Sequence, residues 1–554
     1  MIGKRSRRVL CLALALLIAS CAALTGVSAQ ETSSRKVLLN GTFIMWSLKG
    51  EAIQDEYFYS DSYFDRSGKE QNAHLRTLSA AVSVSLCQTV QENGINSSIL
   101  RRIGFSDFVM EDMNGATSDS IGTVIAKKRI GDTDVIALML RGYNYGGEWA
   151  SNFTCSDAGD SVGFADSAKK AEERLLSYLN ERQIRSAKIW ITGYSRSAAV
   201  ANFVGKALNE NPQTYATASD DIYVYAFEPP NFSADDIAYE NIHNIIDCRD
   251  IVTYLYPAGW GLSRCGVTEP IGDADEMIMS KKFVLLSENL MKDYQEVNLR
   301  DFLSETADLM SQYVSRETYA SQVEEHLVLL SDMYFGFSDR QKEALMTFLN
   351  QFLENFKNDE NIATVLLNML ASRAGDKEFQ AFVDLIIYNL DKTVDETENP
   401  MSDEQFEELK AAIQSIVFAL KPMIKADAAT KITDAQGVST KVTLYHLMTI
   451  LGNLETLIPY HIYFSVFDQL KAADSYYTEE LQRIGDSDGD GSVTVLDATA
   501  IQKSLAKLYT IGESRETVSD VDDDRVITVL DATCIQKYLA ALGNPYQIDA
   551  FLLE

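Results

Sequence analysis

Hydrophobic positions along the chain change texture twice. Up to about residue 250 they come in short β-branched and aromatic runs separated by amphipathic stretches. Val37 to Leu48 predicts a first strand, and His74-Leu75-Arg76-Thr77-Leu78-Ser79-Ala80-Ala81-Val82 has helical spacing. Val135 to Leu140 is continuously apolar, as in a strand buried on both faces of a parallel sheet. It runs into a glycine-rich loop, Arg141-Gly142-Tyr143-Asn144-Tyr145-Gly146-Gly147-Glu148-Trp149, and Gly163 to Gln183 then reads as an amphipathic helix. A strand from Ala187 turns at Gly193-Tyr194-Ser195-Arg196-Ser197 into an alanine-rich helix. Asp221 to Phe227 and Asn241 to Asp247 predict two more strands, separated by a Glu228-Pro229-Pro230 break. Strands alternating with helices in this way predict a parallel α/β sheet.

From about Asp275 to Leu457 Pro and Gly become scarce, and apolar residues recur at helical spacing, as in Leu345, Met346, Phe348, Leu349, Phe352, Leu353 and Phe356. This predicts a helical subdomain, expected mainly to pack and placed where a cap over an active site would sit. Residues 458–480 return to the first texture and close the core. At the other end, Lys4, Arg5, Arg7 and Arg8 precede an apolar run from Val9 to Thr25 and a small-residue site, Val27-Ser28-Ala29. Residues 1–29 are expected to be a secretion signal. Ile18-Ala19-Ser20-Cys21 offers the competing possibility of a lipid anchor at Cys21. No later stretch is long and apolar enough to span a membrane.

Composition narrows the function. The chain has 554 residues, so several structural units are expected, and its net charge of −31 argues against nucleic acid as a partner. Outside the signal the cysteines are Cys87, Cys155, Cys248, Cys265 and Cys534, with no Cys-x-x-Cys pair for zinc. A Cys248–Cys265 bridge is possible, though nothing in the sequence demands it.

Part of the acidity is patterned. Asp486-Ser487-Asp488-Gly489-Asp490-Gly491-Ser492-Val493-Thr494-Val495-Leu496-Asp497 recurs 34 residues later as Asp520-Val521-Asp522-Asp523-Asp524-Arg525-Val526-Ile527-Thr528-Val529-Leu530-Asp531. Each copy puts side-chain oxygens at loop positions 1, 3, 5, 9 and 12, with the Ser492 or Val526 carbonyl at position 7. That is the EF-hand calcium arrangement, with aspartate in place of glutamate at position 12. The expected ligands are Asp486, Asp488, Asp490, Ser492, Thr494 and Asp497, then Asp520, Asp522, Asp524, Val526, Thr528 and Asp531. Arg525 replaces the glycine of position 6, so weaker binding is expected in the second loop. Two such loops, each leading into one helix, resemble a type I dockerin over residues 484–554. The resemblance implies calcium as the cofactor and a cohesin module of a scaffoldin as the partner. Val495-Leu496 and Val529-Leu530 are candidate contacts.

The chemistry centres on Ser195. A strand turning sharply into a helix around a serine is the context of a nucleophile elbow, with Gly193 small before it and Ser197 where a second glycine is usual. Residues 40–265 resemble the α/β-hydrolases of the class 3 lipase type. The resemblance rests on Arg141-Gly142, Glu148-Trp149, Asn152-Phe153, Gly163-Phe164, Gly193-Tyr194-Ser195 and Asp250-Ile251-Val252. It implies an α/β-hydrolase core (30–274) with a helical insertion (275–457), followed by a small all-α calcium-binding dockerin.

A serine needs a histidine base and an acid to orient it, in the chain order Ser, Asp, His for this fold. Asp250 and Asp247 are the acid candidates, and Asp250 holds the family's slot. Arg264 stands where the histidine is expected, and arginine cannot act as a base. Among the five histidines (His74, His243, His326, His446 and His461), His461 follows the helical region and precedes a final helix, so it is the expected base. The oxyanion hole is expected from the backbone N–H groups of Arg196 and Tyr143. The leading reading is a secreted serine esterase or lipase mounted on a scaffoldin, acting on acylglycerols or acylated plant polysaccharide. A catalytically inactive hydrolase-fold binding module is the alternative.

Overall fold

The computed structural model describes residues 37–46, 52–86, 99–142, 147–278, 297–338, 457–479, 481–542 and 546–552, with scattered positions between 342 and 418. The expected signal (1–29, with Cys21), Tyr143, His446 and most of the helical stretch lie outside the described residues. The chain divides into two compact units, Gly41–Glu479 and a second made of Met1–Asn40 with Glu480–Glu554.

In the larger unit the ordered elements begin with β1 (Val37–Trp46), which starts just upstream of it, and β2 (Ala52–Tyr59). Next come α1 (Ala73–Leu86), β3 (Ser106–Glu111), β4 (Thr123–Ile130) and β5 (Thr133–Leu140). They are followed by α2 (Val162–Glu181), β6 (Ala187–Tyr194), α3 (Arg196–Glu210), β7 (Ile222–Phe227), β8 (Ile242–Asp247) and β9 (Val267–Ile271). The helices α4 (Leu299–Tyr313), α5 (Arg316–Gln322) and α6 (Glu324–Gly336) come next, and α7 (Tyr463–Ala473), followed by a single turn over Ser475–Thr478, lies at the end of the unit.

The central sheet has seven strands in the order β3-β4-β5-β6-β7-β8-β9. β5 to β9 run parallel, as the sequence predicts, whereas β3, β4 and β5 form an antiparallel meander. The meander is less legible in sequence because no residue of β3 and only half of β4 is buried, leaving charged residues such as Lys127, Lys128 and Arg129 in β4. Alternation along the buried strands decides which helix packs where. Ile136, Leu138 and Leu140 of β5 and Ile189 and Ile191 of β6 share a core with Phe164 and Leu175 of α2 and Val200 and Val204 of α3. Trp190 and Thr192 point the other way, where the Trp190 Nε1–H donates to Ser79 Oγ of α1 at 2.9 Å. Ser83 Oγ and Thr192 Oγ1 are 3.0 Å apart on the same face.

Cys248 and Cys265 are both buried free thiols, so the possible bridge between them is not formed.

The described residues of the second unit form the helices α8 (Val495–Leu505), α9 (Glu513–Ser519) and α10 (Val529–Leu539), and a short strand β10 (Phe551–Leu552). Val37 and Leu38 pair antiparallel with Leu552 and Phe551. Ile484, Ala498, Ile501, Ile511, Val521, Ala532, Ile535 and Ile548 form its core. The two repeats begin their helices identically: Thr494 and Thr528 cap them, and Asp497 and Asp531 complete capping boxes.

Candidate active site and metal loops

The parallel strands β6 and β8 end on the same side of the sheet, where open α/β sheets place ligands. Ser195 stands between β6 and α3 with φ 57° and ψ −122°, a left-handed conformation forced on a non-glycine residue. The turn is tight enough that a Cβ on Gly193 would lie 2.3 Å from the Ser197 carbonyl oxygen. Ser197, at the position where glycine is usual, is fully buried and bonds the elbow itself. Its Oγ accepts from the Tyr194 N–H at 2.7 Å and donates to the Tyr194 carbonyl at 2.9 Å. The hydroxyl thus bonds both backbone groups of Tyr194 within the buried turn.

Asp250 follows β8 and is fully buried. Its Oδ1 accepts from the Val252 N–H at 2.8 Å, capping a short helical turn over Ile251–Tyr254. Its Oδ2 lies 2.6 Å from His461 Nδ1, and His461 Nε2 lies 2.9 Å from Ser195 Oγ. Three groups separated by up to 266 residues therefore form one hydrogen-bonded line. With the carboxylate accepting at Nδ1, the proton of a neutral imidazole resides there and Nε2 is left as an acceptor toward the serine hydroxyl.

A network docks the segment carrying His461. The Tyr460 hydroxyl donates to Glu276 Oε1 at 2.7 Å, and Arg249 bridges Glu276 at 2.8 Å and Asp247 at 2.7 Å. The Arg249 guanidinium also covers the Tyr460 ring at 4.3 Å, and Gln469 of α7 donates to Asp247 at 2.8 Å. Asp247, the other acid candidate, is thus an anchor for the histidine segment rather than a partner of the imidazole. Sequence reading missed Tyr460, Arg249 and Glu276, because their roles depend on contacts across the helical region.

The other described histidines lie elsewhere. His74 Nδ1 pairs with Asp474 at 2.7 Å while its ring stacks on Tyr476. His243 binds Glu269 at 2.7 Å and the Gly68 carbonyl at 3.0 Å, and His326 lies in α6. Arg264, in the expected histidine slot, is half-buried and donates through Nε to the Pro229 carbonyl at 2.8 Å and through Nη2 to the Thr253 carbonyl.

Arg196 opens α3, so its backbone N–H belongs to the helix N-terminus beside Ser195, where developing negative charge is favoured. Its side chain is 2% exposed and turns away into the core, donating to Asn152 Oδ1 at 3.1 Å and to Ser167 Oγ at 2.5 Å. It is therefore committed to packing rather than to a substrate acid. The loop expected to carry Tyr143 is framed by a buried Arg141–Glu148 ion pair. A Cβ on Gly142 would lie 2.4 Å from the Tyr194 carbonyl, which puts the start of that loop against the elbow.

In the second unit, carboxylate oxygens of Asp486, Asp488 and Asp497 lie within 4.8 Å of one another, as do those of Asp520, Asp522 and Asp524. Asp490 and Asp531 stand outside these sets; Asp490 accepts from the Ser492 N–H at 2.9 Å and Asp531 from the Val521 N–H at 2.7 Å. Thr494 and Thr528 serve as helix caps, and Ser492 and Val526 hold position 7 of their loops. Asp522 Oδ1 is buried without a hydrogen-bond partner. Converging hard oxygens with an orphaned carboxylate atom fit a calcium ion. The loops differ at position 6, where Gly491 has φ 85° and Arg525 is held at φ 70°.

Residues 484–544 match the family model of the dockerin type I domain. This segment is a type I dockerin. Dockerins of this type are calcium-binding modules that recognise cohesins. No curated protein matches the chain significantly. Among solved structures, a fungal lipase in complex with an inhibitor is similar at 20% identity and a TM-score of 0.29, covering 36% of this chain and 80% of its own. A lipase from Rhizopus microsporus var. chinensis matches at 16% identity and a TM-score of 0.27, covering 36% and 74%. M37 lipase matches at 16% and 0.24, covering 34% and 70%. The parallel order of β5 to β9, with the strained serine between β6 and α3, gives the core of the larger unit an α/β-hydrolase fold.

Proposed function

We propose that the protein is a secreted serine carboxylic-ester hydrolase of the lipase kind, attached through its dockerin to a cohesin-bearing scaffoldin. The observation that carries the reading is the line Asp250–His461–Ser195, with contacts of 2.6 and 2.9 Å. In this reading His461 Nε2 takes the Ser195 proton as Oγ attacks the ester carbonyl. Asp250 holds the Nδ1 proton and stabilises the imidazolium that forms. The backbone N–H of Arg196, with one from the loop after β5 at Tyr143, receives the oxyanion. His461 then returns the proton to the leaving alcohol, and water releases the acyl group by the same route in reverse.

Residues 1–29 act as the export signal, and the helical stretch 275–457 serves as a cap. Two calcium ions shape the dockerin. One is held by Asp486, Asp488, Asp490, Ser492, Thr494 and Asp497, the other by Asp520, Asp522, Asp524, Val526, Thr528 and Asp531. Calcium supplies structure there and takes no part in ester chemistry. Acylglycerols and acyl esters of plant polysaccharide are the substrate classes that suit such an attachment.

The test is hydrolysis of p-nitrophenyl esters by wild type and Ser195→Ala, together with labelling by a fluorophosphonate. Turnover by wild type and covalent labelling at Ser195, both lost in the variant, are expected. Equal behaviour of the two proteins would refute the assignment.

A further inference from the structure

Behind Asp250 lies a second acid that the relay does not use. Glu228 follows β7 directly, precedes Pro229-Pro230, holds a φ of 53° and is 0% exposed. Its backbone N–H donates to the Ile245 carbonyl at 2.9 Å, and its Oε1 accepts from the Asp247 N–H at 2.7 Å. Its Oε2 is buried without a hydrogen-bond partner. The charged groups around it are Asp250, Asp247 and the guanidinium of Arg264. The donors of Arg264 that have partners are directed at the Pro229 and Thr253 carbonyls, and Asp247 is engaged with Arg249.

Two buried carboxyl groups in contact cannot both ionise without a large electrostatic penalty. A single proton shared by the neighbours removes the conflict and lets one carboxyl donate an O–H···O⁻ bond to the other. Its place follows from the other partners. Asp250 already accepts from the Val252 N–H and from His461, each stabilising a carboxylate, whereas Glu228 accepts through one oxygen only. The proton therefore belongs on Glu228.

We propose that Glu228 is a positioning residue for the site, a protonated carboxylic acid whose O–H donates to the Asp250 carboxylate and so sets the acid that orients His461. The proposal rests on the Ser195–His461–Asp250 reading. Burial, reinforced by the neighbouring Asp250, holds the Glu228 carboxyl well above the usual carboxylate range. Burial also draws Arg264 down to about 10, which leaves it cationic at neutral pH and in place to offset the charge of Asp250. A left-handed glutamate at the end of a strand is the kind of backbone strain that folds retain where a side chain must be aimed.

Two variants and two readouts test it. Glu228→Gln keeps a donor and the shape; Glu228→Leu removes the donor. Expected for Glu228→Gln is most of the wild-type kcat and an unmoved acid limb of the pH–kcat/KM profile. Glu228→Leu should lose about tenfold in kcat at little change in KM, the worth of one charge-assisted hydrogen bond. Its acid limb should move to higher pH, because Asp250, no longer sharing its charge, attracts the imidazolium more strongly. Infrared difference spectra between wild type and Glu228→Gln should show loss of the C=O stretch of a protonated carboxylic acid. A downward move of the acid limb in Glu228→Gln would mean that a negative charge had been removed, and overturns the proposal. So would equal losses in both variants, wild-type kinetics in both, or an infrared band of an ionised carboxylate. If wild type hydrolyses no ester the esterase reading fails, while the infrared arm still decides the protonation of Glu228.

Discussion

The phenol of Tyr194 donates to the main-chain carbonyl of His461 at 3.1 Å, tying the residue before the elbow serine to the residue whose ring faces it. The two rings also lie 5.8 Å apart. Ser195 and His461 are thus held in register by the elbow's own neighbour, and not only by their mutual hydrogen bond.

Tyr194→Phe tests that tie. One neutral hydrogen bond contributes about 1 kcal/mol, so kcat for a p-nitrophenyl ester is expected to fall roughly fivefold with KM unchanged. An unaltered kcat would show that the network around Tyr460 alone positions the base.

The Arg249 network makes a stronger prediction. Arg249→Met leaves Asp247, which is 0% exposed, without its bidentate partner. Removing one member of such a buried pair costs about 3 kcal/mol, seen as a lower urea midpoint. Because Tyr460 is released as well, kcat should fall by more than the stability loss predicts. A stable but fully active variant would contradict the docking role.

Ser197→Ala isolates the elbow. It leaves the Tyr194 N–H and C=O buried without the hydroxyl they share, at a cost of about 1–3 kcal/mol by denaturant unfolding. Retention of full stability would mean that the turn finds another partner.

Much of this was legible in sequence, and the boundary has physical causes. Strands buried on both faces, such as Val135–Leu140, announce themselves by unbroken apolar runs, and the repeated aspartates announce the loops by spacing alone. Ser195 and Asp250 sit at strand ends that those runs define. His461 was reachable only through its place between the helical region and a final helix, since its partners are distant in the chain. Glu228 and Arg249 are titratable residues of ordinary appearance until folding sets an acid beside one and an aromatic ring beneath the other. Ser197 looked like a defect of the motif because a serine hydroxyl's capacity to bond its own turn leaves no mark on residue spacing.

Glu269 links the stability of the larger unit to pH. Burial would raise Glu269, but the opposing pull of His243, Gln71 and Arg76 outweighs it and leaves the carboxyl below its ordinary value. A group lowered on folding contributes stability at pH above its unfolded value of about 4.3, and that contribution is lost as pH falls through the folded value. Glu269→Gln should therefore lower stability at pH 7 and flatten its decline below about pH 4.3 in urea titrations, relative to wild type. Parallel pH curves for the two proteins would place the sensitivity elsewhere.

The dockerin offers a gain-of-function test. Arg525 pays a left-handed penalty of about 1 kcal/mol that glycine would not, so Arg525→Gly should tighten calcium binding at the second loop roughly fivefold in calorimetry on the whole chain. Binding unchanged at both loops would show that the turn is not what limits affinity.

The 211 residues between Asp250 and His461 also set an order of events. A chain emerging N-terminus first completes the strands that carry Ser195 and Asp250 long before its base exists. Until residues 458–479 emerge and settle against Asp247 and Glu276, Ser195 and Asp250 have no imidazole between them. On the proposed reading the base is the last of the three groups to be synthesised, so the relay can be completed only when the end of the unit closes.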